Sequence, residues 1–121
     1  MKLRIKGNSL RIRLTKTEVS KLAETGYLEE QTIFPDNRFV YALQKADDAA
    51  LSAIFENNKI TMLIPATFIK NWPANSIVGL ENNIQLPNNE SLFLLIEKDF
   101  VCLDETSEDQ SDNYENPNKT C

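Results

Sequence analysis

Histidine is absent from this chain, and with it the side chain that most often serves as a general base or completes a catalytic zinc site. Glycine is almost as scarce. Gly7, Gly26 and Gly79 each stand alone, so no glycine-rich phosphate loop can be built from them. The two cysteines, Cys102 and Cys121, are too far apart for a Cys-x-x-Cys motif. Without secretory signs they read as reduced thiols of a cytoplasmic protein, with a disulfide or a shared metal as the alternatives. No apolar run reaches the roughly 20 residues of a membrane span. The first residues alternate in character instead of placing a charged region before an apolar block, so no signal peptide is expected.

What is present is unevenly charged. The net charge is −5, yet residues 1–101 hold twelve cationic and twelve acidic side chains, and residues 102–121 hold six acids against one lysine. A neutral body with an acidic tail argues against nucleic acid as a partner, since such binders carry a net basic domain. The division expected is a single α+β domain over 1–103 and an acidic tail over 104–121.

The positive charge of the body is concentrated at its start. Strand side chains alternate between faces, so Lys2, Arg4 and Lys6 share one side while Leu3 and Ile5 share the other. After Gly7-Asn8 the alternation resumes, with Arg11 and Arg13 against Leu10, Ile12 and Leu14. Glycine then asparagine suits a two-residue type II′ turn. That turn sets Arg4 opposite Arg11 and Lys2 opposite Arg13, leaving one face apolar and the other carrying five cations. Like charges in direct opposition are destabilising. The face therefore calls for an anion: acidic side chains from elsewhere in the chain, or a bound phosphate, nucleotide or acidic segment.

The rest of the chain supplies the frame. Thr15 and Glu18 form a capping box, Leu14 and Val19 a hydrophobic staple, and Gly26 a C-terminal stop, so a short amphipathic helix is expected. A second hairpin over 27–34 and 39–45 turns at Pro35-Asp36-Asn37-Arg38, and places Phe34, Phe39, Tyr41 and Leu43 on its core face. A third over 51–64 turns at Asn57-Asn58, both residues being tolerant of positive φ. Residues 66–72 read as a turn or two of helix stopped by Pro73, with Trp72 as core packing. Short strand pieces follow at 76–81 and 84–86, then a nearly continuous apolar, central strand over 91–97. The order is hairpin, helix, hairpin, twice over, and suggests an internal repeat of 1–45 in 51–97. The fold expected is α+β, with a mostly antiparallel sheet or barrel-like structure and two short helices.

Catalytic chemistry is sparse. Glu97 and Asp99, at the end of the apolar strand, read as charge partners for Lys or Arg. Asp104, Glu105, Glu108, Asp109 and Asp112 cluster without the spacing and central glycine of an EF-hand, and read as a solvated acidic tail. No catalytic residue, metal ligand or cofactor is assigned.

Two resemblances bear on function. Lys and Arg alternating along strands resembles the triphosphate tunnel enzymes, and implies a metal-assisted hydrolase gripping phosphate inside an antiparallel barrel. Their acidic Glu-x-Glu-x-Lys start is here replaced by Lys2, Arg4 and Lys6, which puts the metal ligands in doubt. The broader resemblance runs through Lys2-x-Arg4-Ile5-Lys6-Gly7-Asn8-Ser9-x-Arg11-x-Arg13-Leu14-Thr15, through Leu95-Ile96-Glu97-Lys98-Asp99-Phe100 and through the acidic stretch that follows. It is similar there to a small uncharacterised bacterial family, which implies no activity.

The reading expected is a binding or adaptor domain. Lys2, Arg4, Lys6, Arg11 and Arg13 would receive an anionic small molecule, an acidic protein segment or the chain's own tail, with no membrane partner. The alternatives are the metal-assisted hydrolase and a purely structural or protein-interaction domain.

Overall fold

The computed structural model describes residues 1–100 and 111–115. Among the described residues eight strands and two α-helices follow the α+β order expected: β1 (Lys2–Lys6), β2 (Ser9–Leu14), α1 (Lys16–Thr25), β3 (Tyr27–Ile33), β4 (Arg38–Ala46), β5 (Ser52–Glu56), β6 (Lys59–Pro65), α2 (Ala66–Ile69), β7 (Gly79–Gln85) and β8 (Ser91–Lys98). Strands β7 and β8 are each continuous, so the two pieces expected at 76–81 and 84–86 are one strand. Pro73 lies inside a 3-10 turn, Trp72–Ala74, that extends the second helical segment.

The strands form two four-stranded sheets, β1-β2-β8-β7 and β3-β4-β6-β5, and neither closes into a barrel. Every hairpin is antiparallel, but the central pairs β2–β8 and β4–β6 are parallel. Each sheet therefore joins one hairpin from each half of the chain. Equivalent positions recur in the registers. Lys2 faces Arg13 as Ser52 faces Leu63, fifty residues on. Tyr27 faces Gln44 as Gly79 faces Glu97, with the offset growing from fifty-two to fifty-three across a turn that is one residue longer. Backbone bonds from Val40 N to Asn58 O and from Phe93 N to Asn8 O tie the strands at equivalent places.

Local chemistry explains the elements. In the first turn Gly7 takes φ +54°, as the first central position of a type II′ turn requires. In the third hairpin Asn57 and Asn58 both have positive φ, the demand of a type I′ turn. At α1 the Thr15 side chain accepts from Glu18 N, Glu18 accepts from Thr15 N, and Gly26 ends the helix in the left-handed region. Gly79 has a different reason. A Cβ there would lie 2.2 Å from the Ile96 carbonyl oxygen, so only glycine lets β7 start this close to β8.

The core lies between the sheets and under the helices. Ile12, Leu14, Leu94 and Ile96 come from one sheet, Leu43, Met62 and Ile64 from the other. Val19, Leu22, Ile69 and Trp72 close it from the helical end. Trp72 is fully buried, and its Nε1–H donates to the Ile77 carbonyl at 2.8 Å. Of the four residues expected on the core face of the second hairpin only Leu43 joins the core; Phe39 and Tyr41 are half-buried outside it, and Phe34 departs furthest. It is 52% exposed, because the turn opens one residue before the strand pattern suggests and carries the ring out at the tip. Among the described residues, no helix is long and apolar enough to cross a membrane.

Candidate functional site

The first hairpin carries its cations on one surface. Arg4 is registered opposite Arg11, Lys2 opposite Arg13 and Lys6 opposite Ser9. Leu3 and Leu10 are half-buried on the other surface and Ile12 is fully buried there, which is what holds the charged side outward.

Parallel pairing of β2 with β8 then brings acids to one end of this face. Glu97 is registered beside Arg13, and its Oε1 accepts from Arg13 Nε at 2.7 Å. The same oxygen lies 3.8 Å from Arg11 Nε. Asp99, buried just beyond the strand, lies 3.1 Å from Lys2 Nζ. Both acids are thus charge partners, in the role expected of them. The compensation is one-sided. Arg13 and Lys2 are well engaged, Arg11 is held at long range, and Arg4 and Lys6 form no ion pair among the described residues. Beside Arg11 on the same surface stand Leu95 and then Glu81 on β7. The least compensated charge lies toward the Gly7-Asn8 turn, where Arg4 and Lys6 are exposed beside the loosely paired Arg11.

The described part of the acidic segment sits elsewhere. Asp112 caps α1: its backbone oxygen accepts from Lys16 N at 3.0 Å, and its carboxylate accepts from the Thr17 hydroxyl at 3.0 Å. Hydrogen bonding from Thr15, and then from Thr17, holds the Asp112 carboxyl below the usual carboxylate range. Tyr114 anchors beside it. Its N–H donates to the Asp99 carbonyl, its ring meets Phe100, and Lys98 Nζ lies 4.9 Å from the ring centroid. Asp104, Glu105, Glu108, Asp109 and both cysteines lie outside the described residues, and so does any contact they make with the basic face.

Lys98 was not singled out by sequence reasoning, although the signal was there. Leu92, Leu94, Ile96 and Lys98 share one face of β8, so period 2 turns the lysine inward. It is 3% exposed, donates to the Asn75 carbonyl at 2.7 Å and lies over the Trp72 and Tyr114 rings. Burial pushes its amine below the ordinary lysine value.

The second sheet does not repeat the basic face. Positions equivalent to Lys2, Arg4, Lys6, Arg11 and Arg13 are Ser52, Ile54, Glu56, Thr61 and Leu63. Among the described residues, no three His, Cys, Asp or Glu side chains converge as metal ligands.

The model of DUF7009, a family of unknown function, matches residues 1–118. The chain belongs to that family. No curated protein and no solved structure matches it. Membership in DUF7009 assigns no chemistry to the basic face. The triphosphate tunnel resemblance loses its structural premise, since the cations of this DUF7009 chain stand on an open sheet and not inside a barrel.

Proposed function

We propose that the chain is a binding domain whose basic hairpin face receives a phosphate or carboxylate group, borne by a ligand or by an acidic protein segment. One observation carries this reading: Arg4 stands directly opposite Arg11, with Lys6 beside them, while Asp99 and Glu97 engage Lys2 and Arg13 closely and Glu97 reaches Arg11 only at 3.8 Å. An anion between the two guanidiniums relieves their mutual repulsion and can be gripped bidentately. Arginine suits this better than lysine because its donors form a rigid planar fork. The chain's own residues 104–110 are one candidate occupant, competing with any ligand in trans. The same reading keeps the domain in a reducing cytoplasm, with Cys102 and Cys121 as thiols. The metal-assisted hydrolase alternative finds no ligand set among the described residues, and the structural alternative gives the opposed arginines no role.

The test is a calorimetric or NMR titration with inorganic pyrophosphate and with a free acidic peptide. Saturable binding that weakens with salt is expected, and Arg4→Ala or Arg11→Ala should lower affinity about tenfold or more, the worth of a charge-assisted hydrogen bond. Binding that ignores both substitutions defeats the reading. Neutralising Glu105, Glu108 and Asp109 as amides should tighten binding if the tail competes for the face. This leaves Asp112 and Tyr114 packed on α1, which truncation would not.

A further inference from the structure

The sheets have four edges, and three of them carry charge within the strand. β1 bears Lys2, Arg4 and Lys6, β3 bears Glu29 and Glu30, and β7 bears Glu81. Charged side chains of this kind are how proteins keep edge strands from pairing with other chains. β5 is different. It reads Ser52-Ala53-Ile54-Phe55-Glu56, with its one charge at the turn, and both Ile54 (47%) and Phe55 (69%) are exposed. Where the equivalent strand β1 places Arg4 and Ile5, β5 places Ile54 and Phe55.

We infer that β5 pairs antiparallel with β5 of a second copy of this chain, about a two-fold axis through Ile54. Three features of the strand select this occupant. The first is the hydrogen-bond pattern. In a two-residue hairpin the closing pair, Glu56 and Lys59, exchanges both backbone bonds. Alternation then turns the amides of Ile54 and Ser52 toward β6 and those of Ala53 and Phe55 outward. Pairing centred on Ile54 sets Ala53 of each copy opposite Phe55 of the other, so the outward groups meet each other.

The second is charge. This register places Glu56 opposite Ser52, and no like charges face one another. The same operation on β1 would oppose Arg4 to Arg4. The third is shape. Ala53, Phe55, Ile5, Leu10, Ile60 and Leu92 line an apolar cleft of about 250 Å³ at the mouth between the two sheets. A phenylalanine from the second copy, lying opposite the small Ala53 and on the same side of the sheet, covers that mouth. On the outer side Ile54 meets Ile54 in a closely spaced pair, where side chains touch most directly. The product is a continuous eight-stranded sheet made from both copies, with the basic face on the other sheet of each.

Sedimentation equilibrium of the full chain tests this, together with amide hydrogen exchange. A dimer is expected at about 100 μM, where any micromolar contact is largely occupied. Exchange at Ala53 and Phe55 should slow as concentration rises. Ile54→Lys sets lysine against lysine across the axis, and Phe55→Lys removes the anchor. Each should weaken dimerisation at least about tenfold. Both positions are exposed, and circular dichroism checks that the fold persists. A chain that stays monomeric at this concentration overturns the inference. So does a dimer that survives both substitutions or leaves the Ala53 and Phe55 amides exchanging freely.

Discussion

Gly79 and Lys98 are the two residues whose environments most directly constrain what may replace them. Gly79→Ala drives a methyl group against the Ile96 carbonyl at a distance no Cβ normally tolerates, and the obstacle is backbone that cannot swing aside. The expected cost is about 1–3 kcal/mol, the usual range for overpacking, read as a lower urea midpoint at unchanged slope. Lys98 makes a prediction about pH. Its folded pKa is depressed by burial, so at alkaline pH the native state binds fewer protons than the unfolded chain. Stability should therefore rise with pH as the buried amine deprotonates, over a window below the ordinary lysine value. Tyr41 and Tyr114 are shifted upward, chiefly by burial, and oppose this only once unfolded tyrosine begins to ionise. Urea midpoints should climb as pH is raised toward the ordinary lysine value, and Lys98→Met should abolish the climb. A profile as steep in the variant as in the parent chain would show that another group is responsible. The alternation of β8 already points Lys98 inward. Asn75 and Tyr114 as its neighbours are not legible, because they arrive from turns and from a segment with no periodicity.

At the scale of elements, local chemistry is decisive. The capping box, both two-residue turns and the pairings they impose follow from neighbouring residues alone, and the observed registers hold to them over Lys2–Arg13 and Ser52–Leu63. Thr15→Ala should cost about 1 kcal/mol, the usual worth of a lost N-cap, seen as a fall of several degrees in Tm. Asp112, held below the ordinary carboxylate range, contributes stability that is present above that range and is lost as pH falls through its lowered value. Phe34 marks where element-level reasoning failed. Alternation put it on the core face, but the chain leaves the strand there to make the turn, and the ring follows the backbone outward.

For the whole molecule, the sequence by itself determined the hairpins, the helix starts and the gathering of five cations on one strand surface. These depend on period-2 alternation and on which residues accept positive φ, interactions that span only a few positions. Tertiary structure alone decided that β2 would lie parallel to β8 and β4 to β6, and so that Glu97 and Asp99 would neutralise one end of the basic face and leave the other end open. It also decided that β1 and β5 would be edges, one charged and one apolar. The physical reason is that burial of apolar surface is non-directional: Ile12 or Ile64 gains as much against any apolar strand. The partner is chosen by how all the hairpins and both helices pack together, and no short stretch of sequence encodes that.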